Sequence, residues 1–257
     1  MASNDSTSKT IIVALALCIV CSVFVSTAAV MLRPAQQLNK DLDRKTNILA
    51  AAGMLKPGVS VDEQFANVTT RAVDMKTGKF TDAVDVSSYD QRKSAKVPSM
   101  STDLSEDEDI AKIGRRADYA LVYIVEGDSG IDKVILPIKG YGLWSTLYGF
   151  IALESDLNTV AGLGFYEHAE TPGLGGEVDN PSWKAKWVGK ETYGEDNKAV
   201  LTVIKGAVDN TRPEASHQVD GLSGATLTSR GVDNLIKFWM GDNGFAPFLA
   251  NLRAGEA

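Results

Sequence analysis

The chain has 257 residues, of which 44% are hydrophobic and 23% are charged, an ordinary composition for a folded protein. This length suffices for one large domain or two small ones. The formal net charge of -7, without any lysine-rich or arginine-rich stripe, argues against nucleic acid as a partner. A phosphate backbone requires a basic surface.

An uncharged run, IIVALALCIVCSVFVSTAAVML, occupies residues 11–32 and contains both cysteines, Cys18 and Cys21. A helix of this run would span roughly 33 Å at 1.5 Å per residue, which matches the hydrocarbon core of a bilayer. A signal peptide is the alternative, but the run is long for one and no small-residue cleavage site follows Met31. We therefore predict a retained transmembrane anchor, preceded by a short tail at residues 1–10.

The charges that flank the anchor leave its orientation open. One cation precedes it, Lys9, and four follow it: Arg33, Lys40, Arg44 and Lys45. This bias favours a cytoplasmic domain, but the rule weakens for long translocated domains. The lack of cysteine in the rest of the chain suits an oxidising compartment without proving one.

Residues 33–57 are predicted to form a helical stalk after the anchor. Apolar residues recur at near-helical spacing between Leu38 and Leu49, and Gly53 and Pro57 then end the pattern. The remaining chain, from residue 58 to residue 257, is predicted to be the functional domain.

Strands dominate the predicted secondary structure of this domain. Two short strands flank a turn at residues 76–79, and β-branched and aromatic runs predict further strands at 119–125, 133–138, 146–153, 159–166 and 199–206. The polar stretch at 84–118 is expected to be a solvated surface excursion. Helical periodicity returns only at the end, from Val232 to Trp239. Clustered strands favour a mixed, strand-rich α+β domain over a doubly wound one.

The segment DGLSGATLTS, residues 220–229, comes directly before that last helix. A tight turn is expected at Ser223, and Thr228 and Ser229 are candidate N-caps. A helix N-terminus offers unpaired backbone N–H groups and a positive potential, so it can hold a phosphate near Thr226. The segment is therefore either a capped turn or a chemical attachment point.

A serine hydrolase is a further alternative for the same segment. GLSGA has Ala225 where a nucleophile elbow requires its second glycine. Both histidines, His168 and His217, precede Ser223, which contradicts the chain order of that fold. A chymotrypsin-like order of histidine, aspartate and serine remains open.

The segment EHAETPGLGGE, residues 167–177, is typical of an active-site loop because it combines acidic residues, a histidine and a Pro-Gly turn. Glu167, His168 and Glu170 are possible metal ligands, although adjacent polar residues commonly form a solvated turn. The glycines match neither the Walker pattern nor the dinucleotide fingerprint.

The segment IKGYGLWSTLYG, residues 138–149, places two glycines around Tyr141 and a tryptophan, Trp144, three residues later. Two interpretations are open for the tryptophan. It is either a core residue beside a turn or an aromatic surface for a planar cofactor.

Together these segments resemble one family. SGAT, preceded by Asp220-Gly221 and followed by LTS, is similar to the flavinylation motif of FMN-binding domains. In that family a dedicated transferase esterifies the threonine hydroxyl to the phosphate of FMN. The likeness covers nearly the whole chain, including the stalk NKDLDRKTNILAAAG, GYGLW and ETPGLGGE. It is greatest to the C subunits of bacterial sodium-translocating NADH:quinone oxidoreductases, and the G subunits of ferredoxin-linked Rnf complexes are related.

The resemblance implies a covalent FMN on Thr226. It implies that the transferase recognises Asp220, Ser223, Gly224 and Ala225, and that these residues then surround the phosphate. It implies that the flavin is lined by Trp144, Glu170, Thr171, Gly173 and Leu174, with Lys205 near the ring.

The resemblance also implies a biological setting. The chain would carry electrons within a membrane NADH:ubiquinone reductase that exports sodium, with its large domain on the periplasmic side of the bacterial inner membrane. Partner subunits would translocate the sodium, because a single span cannot form an ion path. An anchored flavin-binding sensor without turnover is the remaining alternative.

Overall fold

The structure is a computed structural model that describes residues 6–127 and 130–257. It comprises two units, of which the first ends at Arg44 and the second runs from Lys45 to Ala257. Helix α1 (Thr7–Ala51) contains the whole predicted anchor. Among the described residues it is the one helix that is long and apolar enough to cross a membrane. The predicted tail at residues 1–10 lies partly outside the described residues.

The second unit begins earlier than the predicted domain boundary at residue 58. Ile48 and Leu49, in the last turns of α1, are fully buried, and they belong to a hydrophobic cluster that includes Tyr123 and Phe150. The end of the predicted stalk is therefore part of the folded unit. Gly53 follows α1 with a φ of 67°, the left-handed conformation that commonly ends a helix.

The described part of the second unit contains these strands in chain order: β1 (Val68–Asp74), β2 (Lys79–Thr81), β3 (Ser101–Asp103), β4 (Arg115–Ala117), β5 (Tyr119–Gly127), β6 (Gly130–Tyr141), β7 (Thr146–Glu154), β8 (Val160–Glu167), β9 (Thr202–Val203) and β10 (Gln218–Val219). Its further helices are α2 (Val61–Phe65), α3 (Gln91–Ser94), α4 (Pro181–Lys184), α5 (Thr226–Met240) and α6 (Ala246–Ala254).

Six strands form the central sheet in the order β2-β1-β5-β6-β7-β8, and every neighbouring pair in it is antiparallel. One face packs against α5 and α6 in a core that includes Leu136, Leu235 and Phe248. The other face packs against the end of α1, around Ile135 and Phe150. Helices thus cover both faces of an antiparallel sheet, which confirms the predicted strand-rich α+β fold.

The strands predicted at 119–125, 133–138, 146–153 and 159–166 are confirmed as β5 to β8. The last helix is confirmed as α5, whose periodic apolar residues from Val232 to Trp239 are buried. Its Trp239 Nε1 donates to the carbonyl of Lys139 on β6, at 2.7 Å. The helix that starts at the flavinylation-like motif is therefore fixed on the centre of the sheet.

The strand predicted at 199–206 is wrong for most of its length, because only Thr202–Val203 pair as β9, parallel to β10. The backbone N–H groups of this stretch also bind acceptors outside a sheet. The N–H of Val203 donates to Asp233 Oδ1 at 2.9 Å, and the N–H of Leu201 donates to the carbonyl of Thr192 at 3.2 Å.

The expectation of a merely solvated excursion at 84–118 is also wrong. This stretch forms α3 and the antiparallel pair β3–β4. It buries Ser101 and Arg116, and Arg116 donates to the carbonyl of Asn243 in the connection between α5 and α6 at 2.5 Å.

Candidate functional site

Glu170 joins the three segments that the sequence singled out. Its Oε1 accepts hydrogen bonds from the backbone N–H groups of Leu143 at 3.0 Å, Trp144 at 2.9 Å and Ser145 at 3.3 Å. Its Oε2 accepts a hydrogen bond from the Thr228 hydroxyl at 2.6 Å. One carboxylate thus connects the GYGLW loop and the ETPGLGGE loop to the first turn of α5.

Glycines make this convergence possible. A side chain at Gly142 would place its Cβ 2.6 Å from Glu170 Oε1, and one at Gly175 would place its Cβ 2.5 Å from Thr228 Oγ1. A Cβ on Gly231 of α5 would lie 2.5 Å from the carbonyl oxygen of Tyr141. Glycines of the two loops and of α5 therefore permit the close approach of these elements near Glu170.

The flavinylation-like motif forms a tight turn followed by a helix without a cap. Ala225 N–H donates to the carbonyl of Leu222 at 3.2 Å, and Gly224 in this turn has a φ of 73°. The predicted turn at Ser223 is confirmed. The predicted N-caps are wrong, because α5 starts at Thr226 and its N-cap residue, Ala225, makes no side-chain cap hydrogen bond.

The motif hydroxyls have different environments. Thr228 is 1% exposed and Ser229 is 7% exposed. The Thr228 hydroxyl is bound to Glu170, and Ser229 Oγ accepts the N–H of Leu222 at 2.9 Å. Thr226 and Ser223 are exposed. Both buried hydroxyls are thus held within the domain, whereas Thr226 is open at the helix start.

Each of the three segments exposes at least one large apolar side chain. Trp144 is 66% exposed, Leu174 is 45% exposed and Leu227 is 52% exposed. Leu174 approaches the motif itself, since a Cβ on Gly224 would lie 3.1 Å from its Cδ2. The exposure of Trp144 excludes the core interpretation and leaves its indole ring available to a ligand.

The TPGL part of the ETPGLGGE loop forms a tight turn. Leu174 N–H donates to the carbonyl of Thr171 at 3.1 Å, and Gly173 has a φ of 75°. Proline and a left-handed glycine at its centre are the residues that a type II turn favours. This turn presents Leu174 at the surface while Glu170, just before it, points inward.

Asp220 and Lys205 lie beside the motif in different settings. Asp220 forms an ion pair with Lys186, and its Oδ1 accepts the N–H of Val208 at 2.8 Å. Burial alone would raise the pKa of Asp220, but the bonds from Lys186 and Val208 lower it below its ordinary value. Lys205 is exposed in the bend after β9, and its neighbour Gly206 accepts the N–H of Gly221 at 3.0 Å. The roles of both residues toward a flavin stay predictions.

Arg92 supports the ETPGLGGE loop through a contact that the sequence did not indicate. Its guanidinium pairs with both carboxylate oxygens of Glu167 at 2.6 and 2.8 Å, and it lies 3.7 Å from the ring centroid of Tyr148. The hydrogen bond to Glu167 raises the pKa of Arg92 and outweighs burial, which by itself would lower it. Since 75 positions separate the two partners, no local pattern in the sequence indicates the pair.

The three possible metal ligands do not converge. Glu167 pairs with Arg92, His168 Nε2 lies 2.7 Å from Asp179 Oδ2, and the Glu170 carboxylate binds backbone N–H groups and Thr228. No cluster suited to a metal ion occurs among the described residues.

The geometry gives no support to a serine hydrolase. His168 faces Asp179, and His217 Nδ1 lies 2.9 Å from the carbonyl oxygen of Glu191. Within residues 6–127 and 130–257, neither histidine forms a hydrogen bond with Ser223. A histidine base for that hydroxyl is therefore missing from the described part of the chain.

The fold and this surface together define a flavoprotein domain. Residues 142–241 match the family model described as the FMN-binding domain, and this range covers most of the site, from the GYGLW loop to α5.

Relatives that match over nearly their whole length define the family more narrowly. The chain is 56% identical over 261 residues to the C subunit of the Na(+)-translocating NADH-quinone reductase of Pseudomonas aeruginosa, with all of both chains covered. It is 51% identical over 257 residues to the protein of the same description in Vibrio vulnificus, covering 99% of each chain. The crystal structure of Shewanella oneidensis NqrC aligns with a TM-score of 0.75 and 38% identity, over 84% of this chain and 97% of that one. The chain belongs to the family formed by the C subunits of the Na(+)-translocating NADH-quinone reductases.

The residues present fit FMN. The start of α5 has no side-chain cap, so its first backbone N–H groups are free for a phosphate. The exposed Trp144, Leu174 and Leu227 provide apolar area of the kind that a planar ring covers. An uncapped helix start and exposed apolar side chains, the features that a phosphate and a planar ring require, therefore both occur in these segments.

Proposed function

We propose that this chain is the electron-carrying C subunit of a membrane NADH:quinone reductase that couples electron transfer to sodium export, and that its FMN is esterified to Thr226. The observation that carries the proposal is the difference between the motif hydroxyls. Thr226 is an exposed residue at an uncapped helix start, while Thr228 and Ser229 are buried and their hydroxyls are hydrogen-bonded.

Helix α5 supports the phosphate end of the cofactor. The N–H groups at the start of a helix have no intrahelical acceptor, and the helix dipole adds a positive potential there. An ester on Thr226, the first residue of α5, would bring the phosphate oxygens to these donors. The exposed turn at Ser223 and Gly224 leaves this place open to a modifying enzyme.

The ester tether retains the cofactor without altering its ring. The bound flavin supplies the redox chemistry, while the protein positions it and sets its electrostatic environment. Trp144, Leu174 and Leu227 provide the apolar surface for the ring. We further propose that Thr171 and Gly173 contribute by shaping the turn that carries Leu174, and that Lys205 lies near the ring.

Maturation requires a separate enzyme. The phosphate of free FMN is not activated, so esterification needs a flavin transferase that uses an activated donor. The Asp220 carboxylate holds the neighbouring loop through Val208 and pairs with Lys186. We propose that this arrangement gives the motif the shape that the transferase recognises.

The helix α1 anchors the chain in the membrane, and we propose that the second unit lies on the periplasmic side of the bacterial inner membrane. One candidate span occurs among the described residues, and one span cannot form an ion path. Partner subunits of the complex would therefore carry the sodium, and this chain would pass electrons between them.

Variants of the motif test the attachment. The full chain is produced together with a flavin transferase of this family, and the flavin fluorescence of its band is measured in a denaturing gel. We expect Thr226→Ala to fold and lose the fluorescence, because alanine is compatible with the first turn of a helix. The matched control, Ser182→Ala, removes an exposed hydroxyl in the first turn of α4, outside the motif, and should stay fluorescent. A fluorescent Thr226→Ala band would contradict the proposed attachment.

A further inference from the structure

Glu170 is a buried carboxylate whose partners are all neutral. It is 5% exposed, and its oxygens accept three backbone N–H groups, from Leu143 to Ser145, and the Thr228 hydroxyl. No lysine, arginine or histidine among residues 6–127 and 130–257 forms an ion pair with it. A charged carboxylate in a protein interior usually has a cation beside it, so this arrangement requires an explanation.

The carboxylate is ionised at neutral pH. Burial by itself would raise the pKa of Glu170, but the hydrogen bonds from Thr228 and the backbone of the GYGLW loop lower it below its ordinary value of 4.5. Hydrogen bonds of this kind stabilise the negative charge without cancelling it, because their donors are neutral dipoles. A net negative charge therefore remains inside the domain.

This charge lies among the segments that form the proposed flavin site. Thr228, which donates to it, follows Thr226 by two positions on α5, an axial rise of about 3 Å. Trp144, whose N–H donates to it, carries the most exposed indole ring of the site. The low dielectric of a buried position strengthens the field that such a charge produces nearby.

We propose that Glu170 is an electrostatic tuning residue, whose uncompensated negative charge lowers the midpoint potential of the flavin bound at this site. The inference rests on the proposed function, since it requires FMN to occupy the site. An electron that enters the flavin without a proton adds negative charge, and a fixed anion nearby would then raise the free energy of the reduced form. A carboxylate that points away from the surface thus acts on the cofactor through its field rather than by contact.

Two variants test the effect of the Glu170 charge separately from the effect of its hydrogen bonds. Glu170→Gln keeps the shape and an acceptor oxygen for the backbone N–H groups but removes the charge. Thr228→Val removes one hydrogen bond from the carboxylate and keeps the charge. Both are made in the full chain, produced with the transferase, and titrated spectroscopically at fixed pH and ionic strength. Intact mass establishes that each preparation carries one FMN.

We expect Glu170→Gln to raise the midpoint potential, with about a tenfold change in the equilibrium of one-electron reduction, which corresponds to 59 mV. Thr228→Val should titrate like the wild type. An unchanged potential in Glu170→Gln, or an equal shift in both variants, would overturn the proposal. Loss of covalent FMN from Glu170→Gln alone would also overturn it, because the carboxylate would then serve maturation. Absence of FMN from the wild type would refute the proposed function instead.

Discussion

Gly175→Ala tests the close packing around Glu170. The added Cβ would lie 2.5 Å from Thr228 Oγ1 and 2.8 Å from Glu170 Oε2. Both atoms are at the ends of side chains, but neither side chain is free to move, because Thr228 is 1% exposed and Glu170 is 5% exposed. Their mutual hydrogen bond, 2.6 Å long, must lengthen or break.

The expected loss in the free energy of unfolding follows from these contacts. Overpacking a well-filled interior costs about 1–3 kcal/mol, and a hydrogen bond to a charged group contributes about 1.5–3 kcal/mol. Since displacement relieves part of the overlap, we expect a loss of about 3 kcal/mol in the free energy of unfolding. For a unit of about 200 residues this corresponds to a fall in Tm of about 6–12 °C.

The assay is thermal unfolding of the full chain in detergent, followed by circular dichroism, with Gly164→Ala as the matched control. A Cβ on Gly164 in β8 would meet only the Cβ of Ala51, at 3.9 Å, so that variant should melt like the wild type. If Gly175→Ala has the same Tm as Gly164→Ala, the residues around Glu170 are not tightly packed and the prediction is refuted.

Two further predictions concern pH and topology. The pKa of Glu170 is lower in the folded chain than its ordinary 4.5, so its stabilisation is present above pH 4.5 and is lost as the pH falls through the folded value. Other carboxylates such as Asp220 also have lowered pKa values, so the unfolding free energy should fall in both proteins over this range but fall more in the wild type than in Glu170→Gln. A Ser105→Cys variant, at an exposed position, should react with a membrane-impermeant thiol reagent in intact spheroplasts, whereas the wild type, whose cysteines lie in the predicted span, should not. Labelling of Ser105→Cys only after lysis would contradict the periplasmic orientation.

The sequence correctly predicted the strands and the helix whose own residues show a hydrophobic pattern. The β-branched and aromatic runs became β5 to β8, and the apolar period of the last helix became the buried face of α5. Patterns of this kind record which side of an element is buried, and that information is present in neighbouring residues.

Distant contacts explain the failures. Thr228 looks like an N-cap in the sequence, but its hydroxyl binds Glu170, 58 positions earlier. The polar stretch at 84–118 looks solvated, yet Arg92 within it binds Glu167, 75 positions later. That Glu170 lines the flavin stays a prediction, but its bond to the backbone of the GYGLW loop, 26 positions earlier, is a contact that the sequence did not indicate. Each of these roles depends on the tertiary fold, which no short segment encodes.

The most direct test of the account is mass spectrometry of the full chain purified from a cell that contains the flavin transferase. We expect an intact mass that exceeds the sequence mass by FMN less one water, and a modified peptide in which fragment ions place the addition on Thr226. An unmodified intact mass, or a flavin on Ser223 or Thr228, would contradict the central claim.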